Sequence, residues 1–240
     1  TTGITGFVYK AVRGTTRLAA HGVDAGLRLL DRKAHHAVRP SSPEREAALA
    51  AINGVCGDHL EATRNPLAIP MSLRVHGRAL DLDRQALREA IPDATGRAVV
   101  LVHGLCMNDL QWRRGGHDHG AMLAHDLGWS VVALHYNSGL HVSDNGVRFA
   151  ALLETLVAQW PVPVQELAIV GHSMGGLVAR SACHVADEEG LRWRRKLKRL
   201  VCLGTPHHGA LLERGGHRLD RVLHLSPYAA PFARLGTLRS

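Results

Sequence analysis

The chain has 240 residues, of which 45% are hydrophobic and 21% charged, a composition that is ordinary for a globular protein with one sizeable core. Its formal net charge is +8, but aromatic residues make up only 4% and no nucleic-acid-binding motif is present, so we predict no nucleic-acid partner. No apolar run approaches the roughly 18 residues of a membrane span and no secretory signal pattern is visible, which favours a cytoplasmic location.

Residues 1–65 are predicted to form an N-terminal helical extension. Apolar side chains recur at roughly helical spacing through most of the first 38 residues. Ser42, Pro43 and Glu44 then read as a helix cap, a first-turn proline and an acidic first turn, which predicts a second helix running to about Thr63. We expect this pair of helices to pack on the domain, and a helix that lies on a membrane surface is the alternative.

Residues 66–240 are predicted to form an α/β core. Alternating residues around His76 and Gly77 predict a β-hairpin, and the solid apolar run at 97–102 predicts a strand that is buried on both faces. The later predicted elements are a helix ending near 126, a strand at 129–136, a helix at 145–160, a strand at 167–170, a helix at 174–189 and a strand at 199–204. This alternation predicts a mostly parallel sheet with helices on both faces.

The motif GHSMGG at 171–176 places a serine where a predicted strand turns into a helix. In parallel α/β sheets, sites form outside the carboxyl ends of the strands. A serine hydroxyl is a poor nucleophile, and a strained turn of this kind exposes it to a base and to oxyanion donors. We therefore predict that Ser173 is the catalytic nucleophile, and that Gly171, His172 and Gly175 shape its turn.

The pair His103-Gly104 follows the strand that ends at Val102. A glycine there permits the tight bend that turns the next backbone N–H toward the serine. We predict that the N–H groups of Leu105 and Met174 form an oxyanion hole, and that the His-Gly pair shapes the loop that carries the first of them.

A third motif, LGTPHHG at 203–209, ends the strand that follows the serine helix. In this order and spacing, the three motifs resemble those of α/β-hydrolases of the lipase and esterase kind, close to the triacylglycerol-lipase and PGAP1-like branch. The resemblance covers about residues 70–210. It implies hydrolysis of carboxylic esters by a Ser, Asp and His triad without a metal or an organic cofactor, and it implies that His207 shapes the pocket.

The acid and the histidine of such a triad are not apparent in this sequence. In the family they follow later strands, whereas residues 210–240, which we interpret as a lid or cap region, contain no further β-branched apolar run. The titratable candidates near the end of the chain are His207, His208, Glu213, His217, Asp220 and His224. We expect the acid and the base to lie in a segment that follows Ser240. A second polypeptide that completes the site and a divergent complete fold are the alternatives.

Two further charged clusters have simpler interpretations. The basic stretch at 192–199 is predicted to be a solvated surface, and contact with an anionic membrane or lipid surface is the alternative. His117, Asp118 and His119 are adjacent in a glycine-rich segment, which rarely supplies the convergent geometry that a metal requires. We therefore predict no metal site.

The predicted function is hydrolysis of apolar acyl esters or lipids through an acyl-enzyme on Ser173. An acyltransferase or a thioesterase of the same fold is the first alternative, because the pocket and its access to water determine the acyl acceptor. A non-catalytic binding module of the hydrolase fold is the second. The absence of an apparent catalytic histidine favours the binding module, whereas the intact serine motif argues against it.

Overall fold

A mostly parallel sheet forms the centre of the protein in the computed structural model, which describes residues 42–207. The strands are β1 (Ser72–Val75), β2 (Arg78–Ala79), β3 (Arg97–Val102), β4 (Arg113–Arg114), β5 (His117–Asp118), β6 (Ser130–His135), β7 (Glu166–His172) and β8 (Leu197–Leu203). Six of them form one sheet in the order β2-β1-β6-β3-β7-β8, and β4 and β5 form a separate hairpin. Strand β3 pairs in parallel with β6 and β7, and β7 with β8. The predicted fold class is thus confirmed.

Helices lie on both faces of this sheet. They are α1 (Pro43–Ala62), α2 (Arg84–Ala90), α3 (His119–Leu127), α4 (Val142–Gln159), α5 (Met174–Glu189) and α6 (Trp193–Lys196), with a 3-10 turn at Asp109–Trp112. Within residues 42–207, none of these helices combines the length and the apolar character needed to cross a bilayer.

The antiparallel edge of the sheet follows directly from a local turn signal. His76 and Gly77 both have positive φ, at 50° and 78°, which is the pattern of a type I′ turn. Such a turn matches the twist of two antiparallel strands, and Val75 accordingly pairs with Arg78 across it. The predicted hairpin is confirmed.

The core consists of two apolar layers separated by the sheet. One layer joins alternate residues of β3, such as Val100, to Phe149 of α4 and Trp193 of α6. The other layer joins the intervening residues, such as Val99, to Trp112 beside α3. Because β3 is covered on both faces, its sequence is a continuous apolar run rather than an alternating one.

The predicted extension at residues 1–65 stays a prediction, because most of it precedes the described residues. Helix α1 belongs to the compact unit that begins at Pro43. The helix predicted within 1–38 and the lid predicted at 210–240 lie outside the described residues. Sequence periodicity missed the 3-10 turn and the β4–β5 hairpin, because both are too short to carry a period.

The basic stretch at 192–199 is partly neutralised by neighbouring acids. Three of its arginines form ion pairs, namely Arg192 with Glu154 at 2.6 Å, Arg194 with Asp187 at 3.0 Å and Arg199 with Glu166 at 3.5 Å. These pairs reduce the positive field of this surface. Contact with an anionic lipid surface stays a prediction.

Candidate active site

Ser173 occupies a strained junction between β7, which ends at His172, and α5, which begins at Met174. Its backbone angles are φ 51° and ψ −123°, a region that glycine adopts readily and that other residues adopt at a cost of about 1–3 kcal/mol. The Ser173 N–H donates a hydrogen bond of 2.8 Å to the carbonyl of Leu203. The neighbouring strand β8 therefore helps to hold the turn in this conformation.

Close packing of backbone against backbone explains the glycines around the serine. A Cβ atom built on Gly175 would come within 3.0 Å of the carbonyl oxygens of Val102 and His103. A Cβ on Gly171 would lie 2.6 Å from the N and Cα atoms of Gly176. Helix α5 can therefore approach the ends of β3 and β7 only because these positions lack side chains.

The loop after β3 lies directly against the serine. A Cβ on Gly104 would lie 3.1 Å from the Cβ of Ser173, so this glycine lets the loop approach. The next residue, Leu105, is 47% exposed. The loop then turns, because the Met107 N–H donates to the Gly104 carbonyl at 3.3 Å. The residue predicted to carry the first oxyanion donor is thus placed beside the predicted nucleophile.

His103 is buried behind this loop. Its Nδ1 lies 2.9 Å from the Gly104 carbonyl, to which it donates, and its ring stacks on Tyr136 at a centroid distance of 4.4 Å. The Tyr136 hydroxyl in turn donates to the His103 carbonyl at 2.8 Å. Burial lowers the pKa of His103 to about 4. This histidine is neutral at pH 7 and holds the loop rather than facing solvent.

We expect the burial of His103 to make stability depend on pH. Because the folded-state pKa of about 4 lies below the unfolded value near 6.5, the unfolded chain binds more protons between these values. The contribution of the neutral, buried His103 to the free energy of unfolding is present above about pH 6.5 and is lost as the pH falls toward 4. Between pH 7.5 and pH 5, the wild type should lose about 2 kcal/mol more unfolding free energy than His103→Asn, whose amide can still donate to Gly104. Urea unfolding at both pH values measures this difference, and equal losses in the two proteins would contradict it.

The remaining predicted histidines differ in their surroundings. His172 is half-buried in the motif, and burial lowers its pKa. His207 is exposed at the end of the described chain, and its Nδ1 accepts a hydrogen bond of 2.8 Å from the Arg180 guanidinium. The hydrogen-bond partner of the His207 ring is thus the Arg180 guanidinium. His208, His217 and His224, the other predicted candidates for the base, lie outside the described residues.

A buried ionic network beside β6 was missed by sequence reasoning. His135 Nδ1 lies 3.1 Å from Asp109 Oδ1, and Arg74 lies 3.3 Å from the same oxygen and 3.0 Å from Glu46. Burial alone would raise the pKa of Asp109, but the hydrogen bond from His135 and the charge of Arg74 hold it below its usual value. Arg74 lies between two carboxylates and His135 lies against one of them, which offsets part of the cost of burying these groups. The network joins α1, β1 and the loop after β3.

Buried polar residues also follow the end of β6. The Asn137 amide donates to the Gly57 carbonyl at 2.9 Å, and its oxygen accepts the Gly139 N–H at 3.1 Å. Ser138 accepts the Cys106 N–H at 3.0 Å. The sequence marked these polar residues only by their position after a buried strand, and the carboxyl ends of strands are where sites form in such sheets.

Comparison with known proteins gives one family match and matches to solved structures. Residues 147–226 match the family described as the PGAP1-like alpha/beta domain. The mature form of the lipase BlEst2 of Bacillus licheniformis is 25% identical, with 49% of this chain and 45% of that chain covered and a TM-score of 0.40. Its propeptide form is 24% identical, with 60% of this chain and 28% of that chain covered and a TM-score of 0.41.

The chain therefore spans less than half the length of either form of that lipase. No curated protein matches the chain.

Proposed function

We propose that this chain, whose residues 147–226 match the PGAP1-like alpha/beta domain, is a hydrolase of the lipase and esterase type that hydrolyses carboxylic esters of apolar acyl groups with Ser173 as the nucleophile. One observation carries the proposal most directly, namely the backbone of Ser173. A serine is held at φ 51° and ψ −123° between a buried strand and a helix. Strain of this kind persists only where the surrounding structure imposes it, and it concentrates at functional sites.

The proposed reaction begins with attack by Ser173 Oγ on the ester carbonyl, which breaks the carbonyl π bond and gives an oxyanion. We propose that the N–H groups of Leu105 and Met174 stabilise this charge. Met174 is the first residue of α5, and the amino end of a helix adds positive potential there. Collapse of the intermediate releases the alcohol and leaves an acyl-enzyme, which water hydrolyses to the free acid.

This mechanism requires a histidine to take the Ser173 proton and a carboxylate to orient that histidine. Among the histidines of residues 42–207, His207 bonds to Arg180 and His103 is buried as a neutral ring. We assign neither of them as the base. We propose instead that the acid and base come from outside the described residues.

Exposed apolar side chains beside the serine support an apolar acyl group as the substrate. Leu105 is 47% exposed and Leu203 is 43% exposed. Both residues adjoin the nucleophile, since Leu105 follows the glycine that packs on Ser173 and the Leu203 carbonyl accepts its N–H. Binding an acyl chain would remove this apolar surface from water, which is favourable in proportion to the area buried.

A fluorophosphonate probe tests the nucleophile assignment in the complete gene product. The probe reacts only with an activated serine, so we expect a single adduct, located by mass spectrometry on the peptide that contains Ser173. Ser173→Ala should abolish labelling, whereas Ser181→Ala, a serine two turns into the same helix, should not. An adduct on another serine would refute the assignment, and the complete absence of an adduct would favour the non-catalytic binding module.

A further inference from the structure

The loop that carries the proposed oxyanion donor contains an unusual turn. Residues Gly104 to Met107 form a hydrogen-bonded turn, with the Met107 N–H donating to the Gly104 carbonyl at 3.3 Å. The third residue, Cys106, has φ 58°. A positive φ at the third residue is the pattern of a type II turn, which favours glycine there. A cysteine adopts this conformation less readily than glycine, so a contact that favours the conformation would stabilise the turn.

Ser138 provides that contact. It follows β6, the strand beside β3 in the sheet, and its side chain is buried, with the residue 2% exposed. Its hydroxyl oxygen accepts the Cys106 N–H at 3.0 Å. That N–H belongs to the central peptide of the turn, the group whose orientation distinguishes a type II turn from a type I turn. The hydrogen bond therefore favours the observed orientation.

Helix α1 supports both partners from behind. A Cβ on Gly54 would come within 3.0 Å of the backbone of Cys106, so the helix touches the turn directly. The Asn137 amide, next to Ser138, donates to the Gly57 carbonyl one helical turn further along. The turn and the residue next to Ser138 thus both contact α1, on either side of the kink at Cys56.

We propose that Ser138 is a positioning residue, which fixes the Gly104–Met107 turn so that the Leu105 N–H points at the developing oxyanion. The inference rests on the proposed function, since only that function gives the Leu105 N–H a role. Loss of the hydrogen bond lets Cys106 return to negative φ, which rotates the central peptide and shifts the adjoining donor. Displacements of about 1 Å in a catalytic group can cost roughly 100-fold in rate.

Kinetics of Ser138→Ala in the complete gene product test this role. We expect kcat for a chromogenic ester to fall about 10- to 100-fold with KM within about twofold, since the donor acts mainly in the transition state. The matched control is Ser130→Ala at the opposite end of β6, because Ser130 is also buried and also accepts a backbone N–H, from Thr95 at 2.8 Å. Its kcat should stay near that of the wild type. Equal falls in both variants would overturn the proposal, as would wild-type kcat in Ser138→Ala.

A rescue variant separates positioning from general loss of stability. Glycine at position 106 accepts positive φ without help, so Cys106→Gly in the Ser138→Ala background should restore kcat to within about fivefold of the wild type. Absence of rescue would overturn the proposal. Amide hydrogen exchange at residue 106, measured by NMR, should be slow in the wild type and fast in Ser138→Ala. If wild-type turnover did not depend on Ser173, the proposed function would fail, while unchanged exchange in Ser138→Ala would refute the positioning of the turn by itself.

Discussion

Replacing Ser173 by glycine is expected to abolish ester turnover and to leave the protein more stable than replacing it by alanine. Both variants lack the nucleophile, so turnover in the complete gene product should fall at least about 1000-fold. Alanine retains the strain of φ 51°, whereas glycine adopts this conformation freely. We therefore expect Ser173→Gly to exceed Ser173→Ala by about 1–2 kcal/mol in unfolding free energy, measured by urea denaturation.

The same pair of substitutions at Ser181 serves as the control. Ser181 lies in the interior of α5, where glycine is less favourable than alanine by about 1 kcal/mol. The order of stability should therefore reverse, with Ser181→Ala above Ser181→Gly, and turnover should persist in both. If Ser173→Gly were less stable than Ser173→Ala, the backbone at this position would not be strained and the central observation behind the proposed function would be lost.

Adding one methyl group at Gly175 is expected to disrupt the fold. The new Cβ would come within 3.0 Å of the carbonyl oxygens of Val102 and His103, and these are backbone atoms at the end of β3 and in the first residue after it rather than atoms of a flexible side chain. Either α5 or β3 must move, so Gly175→Ala should cost about 3 kcal/mol or more in unfolding free energy. Turnover should fall together with stability, because the same movement displaces the serine from the loop that faces it.

Gly190→Ala is the comparison for this substitution. Gly190 caps the other end of α5 with φ 66°, and a Cβ there would meet no atom within 4 Å. Only the backbone preference opposes the change, so a cost near 1 kcal/mol is expected. Chemical denaturation of both variants gives the comparison. A cost at Gly175 no larger than that at Gly190 would mean that helix and strand are not in the close contact described above.

These two expectations share a physical cause. The serine is strained because α5 begins immediately after β7, and α5 can begin there because two glycines let it pack on the strand ends. The packing energy of the core therefore stabilises a backbone conformation of Ser173 that is unfavourable for a serine by itself. The same relation holds on a smaller scale at Cys106, whose positive φ is selected by a hydrogen bond from a neighbouring loop.

Local sequence signals were sufficient for the elements and for the serine motif. The apolar run at 97–102 predicted a strand buried on both faces, and β3 occupies Arg97–Val102. The helix predicted at 174–189 coincides with α5, and the His76-Gly77 signal predicted the first hairpin. Each signal is contained in a few consecutive residues. The period of the apolar residues and the residue preferences of turns therefore predict the element without knowledge of the rest of the chain.

The surroundings of the site depended on contacts between distant segments. Ser138 meets Cys106 across 32 positions, and Asn137 meets Gly57 across 80. Neither pairing has a local pattern, because the strand order β1-β6-β3-β7 places segments side by side that are not consecutive in the chain. The sequence by itself determined the strands, the helices and the serine between them. The tertiary structure decided which buried polar groups face one another behind the site, since a buried donor or acceptor must find a partner wherever the sheet brings one within reach.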